Sequence, residues 1–528
     1  MTNSIDEFED ASIFLVIGSN TTSNHPLISS KMINAVKYNG AKLILCDPRC
    51  IDLASIASIH IRHKIGSDVA LINGFMNIII NKHLEDKTFI KERTENFEKM
   101  AEIVEKYTPD YVSSITGIEP ELLVKAAELY ASSKKSMIVY AMGITQHITG
   151  TDNVKSCANL AMLTGNMGTP SSGVNPLRGQ NNVQGACDMG GLPNVYSGYQ
   201  PVADLFVRNK FEKQWKVDTL PDKKGLTVIE MGHEIEKGNI KALYIIGENP
   251  FISDPDAKHM HRALKKLDLL IVQDIFPSPT SEFAHVILPA ACFAERDGTY
   301  TNTERRVQLS QQALPPLKGT LPDWKIICEI SKRAGFPMDY NDPSEIMDEI
   351  NRTTPSYGGI TYDRLKKGWG LSWPCPTTDH PGTKFLHQGK FTRGRGLFHA
   401  IEYIPPAELP DAEYPFTLTT GRVRPHFHTG TMTRRTAILD REAPEPFLDI
   451  NPEDALALRV RNGDKIIIES KRGSLKLAVN ITSDVPKGVV FSTFHFKEKN
   501  INELTLCAVD PVAGIPEYKN CAVSIRRS

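Results

Sequence analysis

The sequence predicts an α/β protein with two parallel-sheet domains followed by a small C-terminal β-barrel. Three observations carry that prediction. Continuous apolar runs end on glycine, two such strand–glycine units share a spacing, and from about residue 405 the chain changes to short strands bounded by turns.

Ile13-Phe14-Leu15-Val16-Ile17 is apolar without alternation and stops at Gly18, the pattern of a strand buried on both faces. A helical stretch with Met32, Ile33, Ala35 and Val36 halts at Asn39-Gly40. A second strand over 42–45 then ends on Cys46-Asp47-Pro48-Arg49, completing a strand–helix–strand crossover. Helices over 69–81 and 121–131 follow, and a strand over 137–140 closes on Gly143. The same grammar returns at 242–246, which ends on Gly247-Glu248-Asn249-Pro250, and at 269–272, which ends on Gln273-Asp274. An Asp terminates the second strand in both units, Asp47 lying 29 residues after Gly18 and Asp274 lying 27 after Gly247. Residues 416–420 read as a strand with alternation. Asn451-Pro452-Glu453-Asp454 is a helix start with an Asn cap, and Arg461-Asn462-Gly463-Asp464 and Arg472-Gly473 are turns between strands over 465–468 and 475–479. A small closed barrel accommodates such strands.

Composition narrows the function. Lys plus Arg (61) and Asp plus Glu (62) cancel to a net charge of -1, so nothing points to nucleic acid or an anionic membrane. No apolar run approaches the roughly 20 residues of a membrane helix. The acidic N-terminus lacks signal-peptide order, and the nine cysteines are scattered with no C-x-x-C pair. A cytoplasmic chain without membrane insertion and without its own metal ligands is the expectation.

Glycine at the end of a parallel strand lets backbone amides approach a phosphate, and an Asp ending the neighbouring strand can accept from a ribose or guanine. Either unit alone is compatible with packing; two of matching spacing point to two nucleotide-like groups. Neither has G-x-G-x-x-G spacing, which disfavours an ordinary NAD site. The densest polar stretch, Gly173 to Gly191, sets Asn and Gln amides and Arg178 among glycines. It reads as a loop lining a polar ligand, where the Arg178 guanidinium could clamp a small carboxylate. His426 and His428 could be a metal pair but more often are hydrogen-bonding loop residues, and Arg434 and Arg435 read as solvated.

GVNPLRGQNNVQGACDMG (Gly173 to Gly190) closely resembles the active-site segment of molybdopterin formate dehydrogenases. CDPR (Cys46 to Arg49), ERDGTYTNTERRVQ (Glu295 to Gln308), RVRPHFHTGTMTRR (Arg422 to Arg435) and IPEYKNCAV (Ile515 to Val523) are similar to that family too. The resemblance runs nearly end to end. It implies two Rossmann-like domains at 1–180 and 181–325, a connecting segment at 326–404 and a double-psi-type barrel at 405–528. It implies a bis(molybdopterin guanine dinucleotide) cofactor with molybdenum or tungsten, formate as substrate, and transfer of electrons through a 4Fe-4S cluster to iron–sulfur or NAD-linked subunits. Gly18, Asn20, Asn24, Cys46, Asp47, Arg49, Gly66, Asp68, Met142, Gly143 and Gln146 would line one cofactor half. Gly247, Asn249, Ser253, Asp274 and Asp323 would line the other, covered by Arg422, His426, His428, Thr429, Asn502, Tyr518 and Lys519 from the barrel. Arg178 would hold formate, and Gln180 would help order that site.

The departure lies at the N-terminus. Complete members of the family carry four cluster cysteines and then a Cys or selenocysteine metal ligand followed by His, and this sequence shows none of these. An in-frame UGA read as a stop is the expectation, with a split subunit or a degenerate remnant as alternatives; a re-sequenced locus with no upstream frame would sink it. On that reading the chain alone is inactive and needs the missing segment as a partner. The rival functions are another molybdopterin reductase, such as one acting on nitrate, and a non-catalytic structural subunit of the same fold.

Overall fold

Five parallel strands form the first sheet, in the order Ile59–Ile61, Lys42–Cys46, Ile13–Ile17, Ser136–Tyr140, Gly173–Pro176. The computed structural model describes residues 1–528. Along the central strand, side chains alternate between two cores. Ile13, Leu15 and Ile17 pack with Leu71, Phe75 and Leu160 on one face, and Phe14 and Val16 with Phe8, Ile28 and Met32 on the other. Helices on both faces explain why this strand is apolar at every position.

The strand-end loops meet backbone to backbone. Gly18 has φ +56° and donates its N–H to Cys46 O at 3.1 Å, while Gly143 N–H donates to Gly18 O at 3.0 Å. A Cβ on Gly143 would lie 2.4 Å from Gly18 O, and one on Gly18 2.7 Å from Ile144 N. Both positions therefore need glycine for close approach, and Gly18 also for its left-handed backbone.

The chain divides into two compact units. One comprises Met1–Leu177, Ile252–Lys258 and Phe385–Ser528, and the other Arg178–Phe251 and His259–Lys384. In the second unit Ala242–Ile246, Leu269–Asp274 and Val286–Pro289 form a parallel three-stranded sheet over a core of Ile245, Met260, Leu264, Leu270 and Val272. Gly247 repeats the backbone conformation of Gly18 without its close packing: its φ is +62°, its N–H donates to Gln273 O at 2.8 Å, and a Cβ there would meet nothing within 4 Å. The echo read in the sequence is thus an echo of backbone geometry. An antiparallel hairpin, Gly298–Thr301 with Arg306–Ser310, also belongs to this unit. At its turn Arg305, 1% exposed, donates to the carbonyls of Trp373, Thr383 and Lys384.

The barrel of the first unit closes in the order Phe416–Gly421, Val489–Thr493, Phe447–Ile450, Ser474–Ile481, Lys465–Glu469, Cys521–Arg527. Leu418, Leu448, Ile466, Ile468, Leu477, Val490 and Val523 fill it. Asn451 caps the Pro452–Leu458 helix by accepting from Glu453 N–H at 3.0 Å. One expectation changes. Residues 416–420 do not alternate, because Leu418, Thr419 and Thr420 are all buried; Thr420, on the same face as Leu418, donates its Oγ1 to Tyr518 O at 2.8 Å. No helix is long and apolar enough to cross a membrane.

Candidate functional site

The first unit gathers cationic groups beside its strand ends. Arg49 follows the Lys42–Cys46 strand, its N–H bound to Asp47 Oδ1 at 2.9 Å and its guanidinium stacked 3.8 Å from the centre of the Phe491 ring. Burial raises the Asp47 carboxyl, opposed by the charge of Arg49. Lys519 donates from Nζ to Thr420 O at 2.6 Å and from its backbone to Gln146 O at 3.4 Å. Burial, reinforced by the neighbouring Arg49 charge, brings the Lys519 ammonium down to about 7. Arg422 lies over the Phe427 ring at 5.3 Å, and its buried Nε has no protein partner. Asp47 is the carboxylate whose charge acts on both Arg49 and Lys519, and desolvated cations that outnumber their carboxylates destabilise a fold unless a further anion is supplied.

In the same unit Gly18, Asn20 and Asn24 follow the Ile13–Ile17 strand, and Gly143 and Gln146 follow the Ser136–Tyr140 strand. Asn24 Nδ2 donates to Asn20 O, and Thr22 Oγ1 to Asn20 Oδ1, each at 3.0 Å. Met142 is exposed at the first turn of the Met142–Thr145 helix. Three positions in the same set sit in packed interior. Cys46 is fully buried, and burial, with the Asp68 charge adding to it, pushes its thiol well up. Gly66 presses on Pro406, where a Cβ would meet Cγ at 2.4 Å. Asp68 binds His63 Nε2 at 3.0 Å; burial pushes its carboxyl up, but that hydrogen bond and charge prevail and hold it low.

The barrel loops add buried histidines. His426 uses both ring nitrogens inside its own loop, Nε2 with Ala443 O at 2.7 Å and Nδ1 with Thr433 Oγ1 at 3.3 Å, which leaves no lone pair for a metal. His428 is lowered by burial and then by Arg422. Thr429 and Thr431 share a hydroxyl hydrogen bond of 3.0 Å. His495, which no sequence signal singles out, accepts from Val423 N–H at 3.0 Å through Nε2 and donates from Nδ1 to His428 O. Burial takes it down to about 3, so it is the neutral tautomer those partners require. Arg434 is not solvated: it pairs with Asp440 at 3.1 Å and Glu498 at 2.7 Å, over the Phe496 ring, while Arg435 is exposed. Asn502 Nδ2 donates to Ile252 O and Ser253 O at 2.9 and 3.1 Å, and Tyr518 OH to Ser253 O at 2.9 Å. These contacts place Ser253 with the barrel residues in the first unit.

The second unit holds the other strand-end set. Asn249 Oδ1 accepts from Thr280 Oγ1 at 2.7 Å, and Asp274 Oδ1 accepts Ile275 N–H at 2.7 Å. Asp323, at the start of the Asp323–Arg333 helix, accepts from Gln273 Nε2 at 2.7 Å and pairs with Arg296 at 3.0 Å. The polar stretch that reads as a loop is instead the edge strand Gly173–Pro176 followed, after a turn, by the Val183–Asp188 helix. Asn182 starts that helix at φ +60°, and a Cβ on Gly185 would lie 2.2 Å from Asn182 Oδ1. Arg178 is held at two points, its N–H to Thr303 Oγ1 and its Nε to Gln184 Oε1, both at 3.1 Å. Gln180 is exposed.

Residues 1–333 match the molybdopterin oxidoreductase family, and residues 416–522 match the molydopterin dinucleotide binding domain. The chain belongs to the molybdopterin oxidoreductase family. It is 52% identical over 531 residues to the F420-dependent formate dehydrogenase subunit alpha of Methanocaldococcus jannaschii, covering 100% of this chain and 78% of that one. It is 40% identical to formate dehydrogenase H of Escherichia coli, over 99% of this chain and 74% of that one. Among solved structures, acetylene hydratase from Pelobacter acetylenicus superposes with a TM-score of 0.79 over 99% of this chain and 78% of its own, at 20% identity, a likeness of fold. The domain match supports a molybdopterin cofactor, and the partnerless Arg422 Nε, the depressed Lys519 and the glycine-bared strand ends are chemically compatible with a phosphate-bearing group.

Proposed function

We propose that this chain is the catalytic portion of a formate dehydrogenase, oxidising formate to carbon dioxide, a proton and two electrons. The observation that carries the reading is Arg178, whose backbone N–H is bound to Thr303 Oγ1 and whose forked guanidinium is oriented by the bond from Nε to Gln184 Oε1. Such a fork matches a carboxylate geometrically, and an anchored one loses little freedom on binding it. Arg49, Arg422 and Lys519 would hold the phosphates of a bis(molybdopterin guanine dinucleotide), with molybdenum or tungsten as its metal. When bound, that centre supplies the two-electron acceptor for the C–H bond. The protein's share is to orient the carboxylate and to set the local field. Onward transfer through a 4Fe-4S cluster to iron–sulfur, NAD-linked or F420-linked subunits belongs to the same reading, as do a cytoplasmic location and the four-part division at 180, 325 and 404.

The test is to purify the chain with the rest of its enzyme and supply formate with benzyl viologen. One carbon dioxide per two reduced viologens is expected. Pterin-loaded enzyme inert to formate but active on nitrate, or inert to both, would overturn the reading in favour of a reductase or a structural subunit.

Lys519 makes a separate prediction. Its folded value of about 7 lies below the ~10.4 of an unfolded lysine, so the unfolded chain binds more protons between those values. This group's contribution to stability is therefore least favourable below pH 7 and improves as pH rises toward ~10. Phosphate neighbours restore the ammonium, so binding at pH 8 takes up close to one proton, and affinity falls by at most about tenfold per pH unit above 7. Calorimetry with guanosine diphosphate in two buffers of different ionisation enthalpy reads that uptake. Lys519→Met should abolish it; equal heats in both buffers for the unsubstituted chain would rule the assignment out.

A further inference from the structure

The helix that follows Arg178 ends on a carboxylate with an unusual set of partners. Asp188 is 1% exposed, and its two oxygens accept four hydrogen bonds. Oδ1 receives Gln184 Nε2 at 2.8 Å and Tyr199 OH at 2.9 Å; Oδ2 receives Tyr357 OH at 2.5 Å and Trp373 Nε1 at 2.7 Å. Four donors saturate the lone pairs of a buried carboxylate, so the group cannot turn without losing one of them. Trp373 matters most, since an indole N–H only donates.

Gln184 is the link to the substrate arginine. It lies one helical turn before Asp188, is 5% exposed, and its amide has a nitrogen end and an oxygen end that shape alone barely distinguishes. Because Asp188 can only accept, it captures the nitrogen end. The oxygen end then faces Arg178 Nε, where it accepts at 3.1 Å. Tyr199 OH also receives a hydrogen bond from Gln184 Nε2 at 2.9 Å, which strengthens the same orientation. From these contacts we infer that Asp188 is a positioning residue for the carboxylate-binding arginine: it sets the orientation of the Gln184 amide, and through that the direction of the Arg178 fork. The inference rests on the formate reading for what the arginine grips, but not for how the arginine is held.

Hydrogen-bond polarity makes the chain of command testable. Asp188→Asn replaces an all-acceptor group with an amide that has one donor end. That NH2 cannot settle against Trp373 Nε1, so it takes the Oδ1 side, where Tyr199 can rotate its hydroxyl to accept. Gln184 must then flip to offer its oxygen to the introduced NH2, and its own NH2 turns on Arg178 Nε, donor against donor. Gln184→Glu removes that conflict, since a carboxylate accepts from the introduced NH2 on one side and from Arg178 on the other. The double variant Asp188→Asn/Gln184→Glu should therefore restore what Asp188→Asn loses.

The experiment compares the unsubstituted, Asp188→Asn, Gln184→Glu and double-variant holoenzymes for formate kinetics, melting temperature and pterin content, and determines crystal structures of the single Asp188 variant and the double variant. Asp188→Asn is expected to raise KM for formate by about 10- to 100-fold with a smaller change in kcat, at unchanged pterin content. The double variant is expected to return KM to within about threefold, with Arg178 displaced in the first structure and back in place in the second. An Asp188→Asn enzyme with unchanged KM and an unmoved Arg178 would overturn the inference. So would a double variant that stays as impaired as the single one, because that would make Asp188 a general support of the fold. If Arg178→Ala leaves formate kinetics intact, the formate reading fails, while the two crystal structures still decide whether Asp188 aims the arginine.

Discussion

Arg178→Ala is expected to lower kcat/KM for formate by about 10²- to 10³-fold, the loss typical of removing one preorganised charged contact at a reacting centre. Alanine discards the two-pronged grip and with it the bond from Nε to Gln184 Oε1. Arg178→Lys keeps the charge but neither the fork nor the Nε donor, and recovers no more than about tenfold of the loss. Arg178 is only partly buried, so melting temperature and pterin content should change little in either variant. Steady-state kinetics with formate as the varied substrate checks both. Wild-type kcat/KM in the alanine variant would remove Arg178 from substrate binding and leave the site without its carboxylate anchor.

What the sequence made legible follows from how each feature is encoded. The strand Ile13–Ile17 could be read because burial on two faces demands an unbroken apolar run, and its end could be read because Gly18 must be glycine. The second unit obeyed the same local rule at Gly247, so the echo survived although Ile246 is 44% exposed and that strand is less enclosed. Arg178 draws attention in the sequence because an arginine among amides and glycines has no core to join, and the structure leaves it half-buried. The rest was not local. Residues 416–420 look like an alternating strand, yet Thr419 and Thr420 are both buried, Thr420 bound to the carbonyl of the distant Tyr518. Arg434 looks solvated until Glu498, 64 residues on, pairs with it. His495 and Asp188 owe their roles to partners up to 185 residues away, a separation that no periodicity records. Only the i, i+4 spacing of Gln184 and Asp188 on the short helix could have flagged that pair in advance.

Glu517→Ala is expected to cost the first unit about 3–5 kcal/mol, the penalty for removing one partner from a buried charged network. Glu517 is fully buried and satisfies three groups from two distant segments. Oε1 faces His147 Nδ1 and Ile148 N–H, both at 3.4 Å, and Oε2 accepts Ala407 N–H at 3.0 Å. His147 in turn reaches Gly143 O through Nε2 at 3.1 Å, and Gly143 N–H binds Gly18 O. The carboxylate thus joins the glycine-bared strand ends to the barrel loop bearing Tyr518 and Lys519. Alanine strands all three groups and leaves a void the size of the lost side chain, whereas Glu517→Gln keeps one acceptor and should retain part of the stability. Loss of the tie also frees Lys519, so the alanine variant should purify with less pterin at the same metal supply. Urea unfolding and fluorescence of the released pterin measure the two effects together. Stability lost with pterin retained would confine Glu517 to the fold; both unchanged would mean that the three stranded groups find other partners, and that the strand ends hold their shape without the barrel.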